Sequence, residues 1–429
     1  MWTNWAGDQR CEPATVERPA AVGEVVGAVE RAVAAGRCVR VAGSGHSFTG
    51  AALTDGALLS LDRMGALLDA DPATGLVRVE AGITLHALSQ ALAEHGLAMP
   101  NLGDIDEQSI AGAISTATHG TGATLPNLSA QVRALRLVTA AGEVLELDGG
   151  EDLLAARVAL GVLGIVTEVT LQTVPAFTLH GVDAPAPLAE VLDELEARVD
   201  GHRHFEFFVF PHADSALTRT NDAVDEPPRP RSRLRAYVDD VLLTNRAFQL
   251  SCVIGRTVPS AIPSLNRLVT RLAGTSTRVD RSDRIFASPR LVRFTEMEYA
   301  LPRPVAADAV RAIKATAERH AINFPIEVRF VAPDDALLSP VHERETAYVA
   351  VHAFKGMEWE PYFRAVEAIA DEHGGRPHWG KRHFQTAATL APRYPGWERF
   401  AAVRGRMDPG GVFSNAYTDR VLGAVGAAV

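Results

Sequence analysis

Two stretches of the 429-residue chain carry residue types that can do chemistry. In Gly43-Ser44-Gly45-His46-Ser47, which follows a short apolar run, the glycines let a backbone come close enough to a phosphate for its N–H groups to bind it. A nucleotide-binding loop and an ordinary strand-to-loop turn fit that pattern equally. It is not the dinucleotide fingerprint Gly-x-Gly-x-x-Gly, because Phe48 stands where the last glycine would let helix pack on strand. Glu327 and Arg329 lie two apart, so on a strand they share a face. Taken alone, that pair reads as a structural ion pair. Ser44 and Ser47 beside His46 lack the Gly-x-Ser-x-Gly elbow of a hydrolase. His378 and His383 share no helical face, and no carboxylate or cysteine cluster accompanies them in sequence, so no metal site is expected.

The elements that must position these residues follow from periodicity. Val22, Val25, Val26, Val29 and Val33 predict a helix over Ala20 to Gly36. A strand over Arg37 to Ala42 then delivers the glycine loop, with further strands at Gly56 to Leu61 and Leu76 to Glu80. Leu85, Leu88 and Leu92 mark a second amphipathic helix ending near Gly96. Asn101 to Gly122 is rich in small and hydroxyl residues, as a tight alanine-packed helix or as a second loop lying over a flat ring and its pyrophosphate. Paired with the Gly43 loop, the cofactor reading is the better account. A hairpin is predicted from Val132–Val138 and Val144–Leu147, and a β-branched strand runs out of the Gly161 turn to Leu171.

These elements place a first domain at residues 1–175. Residues 176–375 form a second, in which Phe205–Pro211 reads as a strand buried on both faces. Arg293–Tyr299, Phe324–Phe330 and Ala347–Phe354 read as strands with one polar face. Residues 376–429 are too short for a domain and are expected to pack back on the first. The proline- and arginine-rich piece Glu226–Arg233 reads as an exposed loop.

A net charge of −10 argues against a nucleic-acid groove and for small-molecule partners. Three scattered cysteines suit a reducing compartment. Without a signal-like segment or a membrane-spanning run, the expected location is the cytoplasm, with peripheral membrane attachment left open.

Five motifs occur together: Gly43-Ser-Gly-His-Ser47, Ser109-Ile-Ala-Gly112 with Thr118-His-Gly-Thr121, Gly161-Val-Leu-Gly-Ile-Val166, Glu327-Val-Arg329 and His378-Trp-Gly-Lys381. In this combination and order the chain resembles the aldonolactone oxidoreductases of the vanillyl-alcohol oxidase flavoprotein family. That group holds L-gulono-1,4-lactone oxidases and dehydrogenases, D-arabinono-1,4-lactone oxidases and alditol oxidases. Phe205–Pro211, Phe324–Phe330 and Arg376–His383 bring it nearest to the actinobacterial L-gulono-1,4-lactone dehydrogenases. The resemblance implies a two-domain α+β fold, with FAD held by the first domain and capped by the second.

The same resemblance implies residue roles. Gly43, Ser44, Gly45, His46 and Ser47 would wrap the pyrophosphate and ring edge, with His46 bonded covalently to the flavin 8α-methyl group. Ser109, Gly112, Ser115, Thr118, His119, Gly120 and Val166 would contact the rest of FAD. Glu327 would anchor or deprotonate a substrate hydroxyl, Arg329 would stabilise anionic reduced flavin, and Lys381 would stabilise the developing alkoxide. His352 and Asp104 would contact substrate, and Gly103 would stand at the oxygen gate. Asp104 departs from the serine of alditol oxidases and plant dehydrogenases, which favours a lactone or another polyol ring over an alditol. The implied reaction is oxidation of a sugar-acid lactone at its C2 hydroxyl, giving an ascorbate-type product, with oxygen, cytochrome c or a dye as final acceptor. An alditol or other carbohydrate oxidase, and a non-catalytic flavin-binding redox protein, are the alternatives.

Overall fold

The computed structural model describes residues 1–426. The N-terminal part is built around two larger sheets, beside two two-stranded ones, Trp2–Thr3 with Arg10–Cys11 and Leu97–Ala98 with Val174–Pro175. Of the larger two, a parallel one has Ala57–Leu59 between Thr15–Glu17 and Val39–Val41. An antiparallel one runs in the order Val144–Leu147, Val132–Val138, Ile165–Gln172, Leu76–Glu80, Leu67–Asp71. Helix Val22–Ala34 buries Val25 and Val29 against Val39, Leu59 and Ile165, which is the valine stripe seen in the sequence. Val22, also on the predicted stripe, is only partly buried at the helix start, while Val33 is exposed. The hairpin forms over its predicted residues, with Val138 opposite Val144. Of the long small-residue run, Ile110–Ser115 is helical, and its N-terminus is capped by Ser109, whose hydroxyl accepts from Gly112 N at 3.3 Å. The strand Leu67–Asp71 carries no strong signal because it is a polar edge.

Residues 178 to 377 supply one eight-stranded antiparallel sheet. Its order is Ser276–Arg281, Thr178–Pro187, Ser215–Val224, His204–Val209, Ile326–Val331, Thr346–Phe354, Phe294–Pro302, Arg376–Pro377. Period-two alternation divides it cleanly. Phe205, Phe207, Met297, Tyr299, Ile326, Val328, Phe330, Val349 and Val351 point into an apolar core under helices Ala306–Ala317 and Glu360–Glu372. The opposite face presents Glu206, Phe208, Glu296, Glu298, Glu327, Arg329 and His352. At roughly 25 cal/mol per Å² of apolar surface, that core fixes the register, since a slip of one residue would bury every carboxylate among the helices.

After Arg376–Pro377 the chain turns back. Trp379, Leu390, Tyr394, Trp397, Phe400, Val403, Tyr417 and Val421 join the core that contains Leu85, Leu88 and Ile110. Arg40 ties the seam together: its guanidinium donates to Ala51 O at 2.8 Å, Leu160 O at 2.7 Å and also to Phe413 O. The exposed loop predicted at Glu226–Arg233 ends one residue early, since Ser232 caps a helix that begins at Arg233.

Candidate active site

An elongated cleft of about 380 Å³ is lined by Gly43, Ser44, Gly45, His46, Ser47, Ser109, Gly112, Ser115 and Val166. The glycine loop is shaped by its surroundings. Gly45 has φ +73°, a conformation that glycine adopts without strain. A Cβ on Gly43 would lie 2.5 Å from Ser109 Oγ, so only glycine lets the two loops approach this closely. Among the described residues, the backbone N–H groups of 43 to 47 have no acceptor within the chain. Five consecutive unpaired donors lining a cleft are the donor set a diphosphate requires.

The N-terminal segment clamps the loop from outside. Trp5 N donates to Gly45 O at 2.8 Å, Asn4 Nδ2 donates to Ser47 O at 3.0 Å, and the Trp5 ring stacks on His46 with centroids 5.5 Å apart. Burial, with Lys381 and Arg293 adding to it, lowers the His46 pKa to about 4, so its imidazole is neutral at neutral pH.

A second cavity, about 140 Å³, meets the cleft at His46, Ser47, Gln108 and Thr116. It is lined by Gly103, Asp104, Thr118, His119, Phe208, Glu296, Glu298, Glu327, Arg329, His352, His378 and Lys381, among others. Strand pairing brings most of them here: Phe208 lies opposite Glu327, Glu206 opposite Arg329, and Glu296 opposite His352. Lys381 arrives from the returning segment. That segment is stitched to the sheet by His378 N to Glu298 O at 3.0 Å, and to the glycine loop by Phe48 N to Gly380 O at 2.7 Å.

Arg329 is buried among carboxylates. Its Nε donates to Glu206 Oε2 at 2.8 Å, and its Nη2 meets Glu327 Oε1 at 2.5 Å and also Asp104 Oδ1. Arg290 takes the other Asp104 oxygen, and Arg219 bridges Glu206 at 3.0 Å and Asp183 at 2.6 Å. Four carboxylates thus face three guanidiniums. Glu327 is the group in surplus: burial raises its pKa against the pull of Arg329, and Asp104 and Glu206 add to the rise, to about 7. Asp104 is also desolvated, but Arg329 and Arg290 outweigh that and hold it well below the usual carboxylate range.

A second charge group sits beside it. Lys381 Nζ donates to Glu296 Oε2 at 2.5 Å, and His352 Nε2 stands 3.5 Å from Glu296 Oε1. Burial opposes the Glu296 charge, yet Lys381 and His352 prevail and lower its pKa to about 2. Burial also opposes the Lys381 charge, but Glu296 and Glu298 overcome it and raise the Lys381 pKa. Lys381 is therefore a fixed ammonium.

Most of the residues expected at the site line one of the two cavities. Gly120 lines neither, because it is packed against Asn101 Oδ1 and Leu102 O. Thr118 and His119 face the smaller cavity rather than the long cleft. A Cβ on Gly103 would press on His119 O at 3.0 Å. His378 is not without a carboxylate, as its surroundings in sequence suggested: ligand atoms of His119, Glu298 and His378 lie within 4.8 Å of one another. His383 lies apart, with Nε2 3.0 Å from Tyr417 Oη. Glu206, Glu296, Glu298 and Arg290 were missed. Glu296 and Glu298 did leave a signal, two acids at alternate positions of an otherwise apolar run. Arg290 left none.

The D-arabinono-1,4-lactone oxidase family model matches residues 169–421, and the FAD binding domain model matches residues 13–148. The chain belongs to the D-arabinono-1,4-lactone oxidase family. It carries an FAD-binding domain, to which the unpaired N–H groups of the glycine loop are suited. An L-gulono-1,4-lactone dehydrogenase of Mycobacterium tuberculosis is 53% identical over 425 residues, covering 99% of each chain. An L-gulonolactone oxidase of Bos taurus is 34% identical, covering 98% of this chain and 97% of that one. An alditol oxidase of a Streptomyces species is also 34% identical, covering 98% of each. The solved cholesterol oxidase from B. sterolicum superposes with a TM-score of 0.83 at 19% identity, covering 98% of this chain and 96% of that one. The fold is thus the α+β fold of vanillyl-alcohol-oxidase-type flavoproteins. No helix among the described residues is long and apolar enough to cross a membrane.

Proposed function

We propose that this family member oxidises a sugar-acid lactone, L-gulono-1,4-lactone first among them, at its C2 hydroxyl, giving a ketone that enolises to an ascorbate-type product. Residues 1–175, with the returning segment 376–429, would hold FAD, and 176–375 would cover it. When bound, FAD supplies the acceptor for the hydride that leaves the carbinol carbon. The observation that carries the reading is Glu327, a carboxyl poised near pH 7 in a cavity that opens onto the flavin cleft at His46.

Glu327 takes the hydroxyl proton as the hydride departs, so one carboxylate becomes one carboxylic acid and the charge of the cluster falls from surplus to balance. Its Oε1 is fixed by Arg329, while no hydrogen bond within the described residues engages Oε2. We assign Arg329 to orienting Glu327, since Asp104 and Glu206 already share its charge. Lys381 stabilises the negative charge that gathers on the substrate oxygen. His352, packed between Phe294 and Phe324, bounds the cavity wall. Asp104 acts on substrate through Arg290 and Arg329, because both of its oxygens are occupied.

His46 is the proposed attachment point for the flavin 8α-methyl group. Its neutral imidazole is the nucleophilic form, held in place by Trp5. Gly103 is the proposed oxygen gate, with oxygen, cytochrome c or a dye as terminal acceptor. Cytoplasmic residence fits three cysteines that are all unpaired. The test is an anaerobic panel of aldonolactones and polyols mixed with the purified enzyme, followed by admission of air. A lactone is expected to bleach the flavin faster than any alditol, and the rate of colour return reports oxygen reactivity. If neither class bleaches the flavin, the enzymatic reading fails.

A further inference from the structure

The charges of the smaller cavity continue past its wall along one line of the eight-stranded sheet. Five neighbouring strands place one residue each in a transverse row, in which Ser276, Asp183, Arg219, Glu206 and Arg329 lie directly opposite one another in turn. Residues paired in this way share a face, where opposite charges attract. Arg219 Nε donates to Asp183 Oδ1 at 2.6 Å and its Nη1 to Glu206 Oε1 at 3.0 Å, while Arg329 Nε donates to Glu206 Oε2 at 2.8 Å. Ser276 Oγ closes the outer end by donating to Asp183 Oδ2 at 3.3 Å. Exposure falls along the row, from 37% of the Asp183 side chain to 4% of that of Glu206.

Glu206 therefore has one guanidinium on each oxygen. The more of its charge Arg219 answers, the more Arg329 is left for Glu327, 2.5 Å from its Nη2. The other charges that face Glu327 are Asp104, itself held by Arg290, then His352 from the next strand and Lys381 from the returning segment. Glu296 and Glu298 are answered separately, by Lys381 and His119. Asp104, Asp183, Glu206 and Glu327 thus face Arg219, Arg290 and Arg329, four negative charges against three positive. Arg219 and Asp183 line neither the long cleft nor the smaller cavity, only the groove outside them.

We propose that Arg219 and Asp183 are positioning residues that set the proton affinity of Glu327 from outside the cavity, acting through Glu206 and Arg329. The proposal rests on Glu327 as the proton acceptor of the reaction. Removing the Arg219 charge leaves Glu206 to Arg329 alone, draws that guanidinium away from Glu327 and raises the negative excess from one to two. Glu327 then keeps its proton to higher pH. Removing the Asp183 charge does the reverse: Arg219 turns wholly to Glu206, the excess falls to zero and Glu327 releases its proton at lower pH. Removing both restores the native excess of one. A row that only braced the sheet would lose stability with each change and more with both, without opposed movements of the proton equilibrium.

The test compares the intact native flavoprotein with Arg219→Met, Asp183→Asn and the double variant, each with and without Glu327→Gln, by thermal melting across pH and by stopped-flow reduction with a lactone. The difference in melting between each protein and its own Glu327→Gln counterpart isolates the Glu327 proton, and in the native protein it should change up to about pH 7. Arg219→Met should move that upper limit up by about one pH unit, Asp183→Asn should move it down by about one, and the double variant should return to the native value. The pH midpoint of flavin reduction should move in the same way. Asp183 is partly exposed and asparagine keeps its shape, so this variant tests the proposal even where Arg219→Met does not fold. Melting differences that do not move, that move in one direction for both single variants, or that the double variant fails to restore overturn the proposal. Should they move as expected while the midpoints of reduction stay in place, the proposal stands and the role of Glu327 as proton acceptor falls.

Discussion

Replacing Glu327 with glutamine tests the site and the charge count together. Glutamine keeps the shape and can still accept from Arg329 Nη2, but it cannot take a proton. In the native protein the Glu327 pKa rises from 4.5 to about 7, chiefly through burial. A carboxyl with a raised folded pKa makes the folded state hold a proton that the unfolded chain has released. Stability is therefore lost as pH climbs from 4.5 through about 7. At 1.36 kcal/mol per unit, the loss is at most about 3 kcal/mol. Glu327→Gln removes that dependence, so it should melt with a flatter pH profile and be more stable than the native enzyme at about pH 8. The same change removes the proton acceptor, and stopped-flow reduction of the flavin by a lactone should slow by roughly 10²- to 10⁴-fold. Native reduction rates should fall as pH drops below about 7, and the variant's residual rate should not. Reduction within a few-fold of native, with the pH dependence intact, would falsify the role of Glu327. An unchanged pH slope of stability would refute the surplus-carboxylate reasoning.

His46→Ala should leave all flavin in the supernatant on acid precipitation, whereas the native pellet should be yellow; a colourless native pellet removes the covalent claim. Lys381→Met leaves Glu296 buried without its ammonium, raising the Glu296 pKa, and is expected to cost about 3 kcal/mol in thermal unfolding at neutral pH, less as the pH falls. Substrate bleaching should be lost with it. Gly43→Ala places a methyl against Ser109 Oγ and disturbs that residue's cap on helix Ile110–Ser115, so a loss of about 1 kcal/mol and weaker flavin retention on dialysis are expected. Gly103→Ala should slow flavin reoxidation by air more than flavin reduction; equal slowing of both would point to a shifted His119 instead.

The sequence alone determined what is local. The valine stripe, the Val132–Leu147 hairpin, the glycine loop and the shared face of Glu327 and Arg329 are set by neighbours within a few residues, through helical or strand periodicity and turn chemistry. The ordered motifs then made the flavoprotein resemblance legible. The ion network was not legible, because Arg329 finds Asp104 225 positions away and Lys381 finds Glu296 85 positions away, and no spacing rule links such pairs. Sheet register decided that Glu296 and Glu298 face the cavity and that Glu206 lies opposite Arg329, and the cations brought beside Glu296 and Glu298 keep them charged against their burial. An aspartate that read as a substrate contact became the partner of two arginines, and a glutamate that read as half of an ion pair became the carboxyl in surplus. Proton affinity depends on every charge within a few ångströms and on how far water is excluded, and only the tertiary structure brings those charges together.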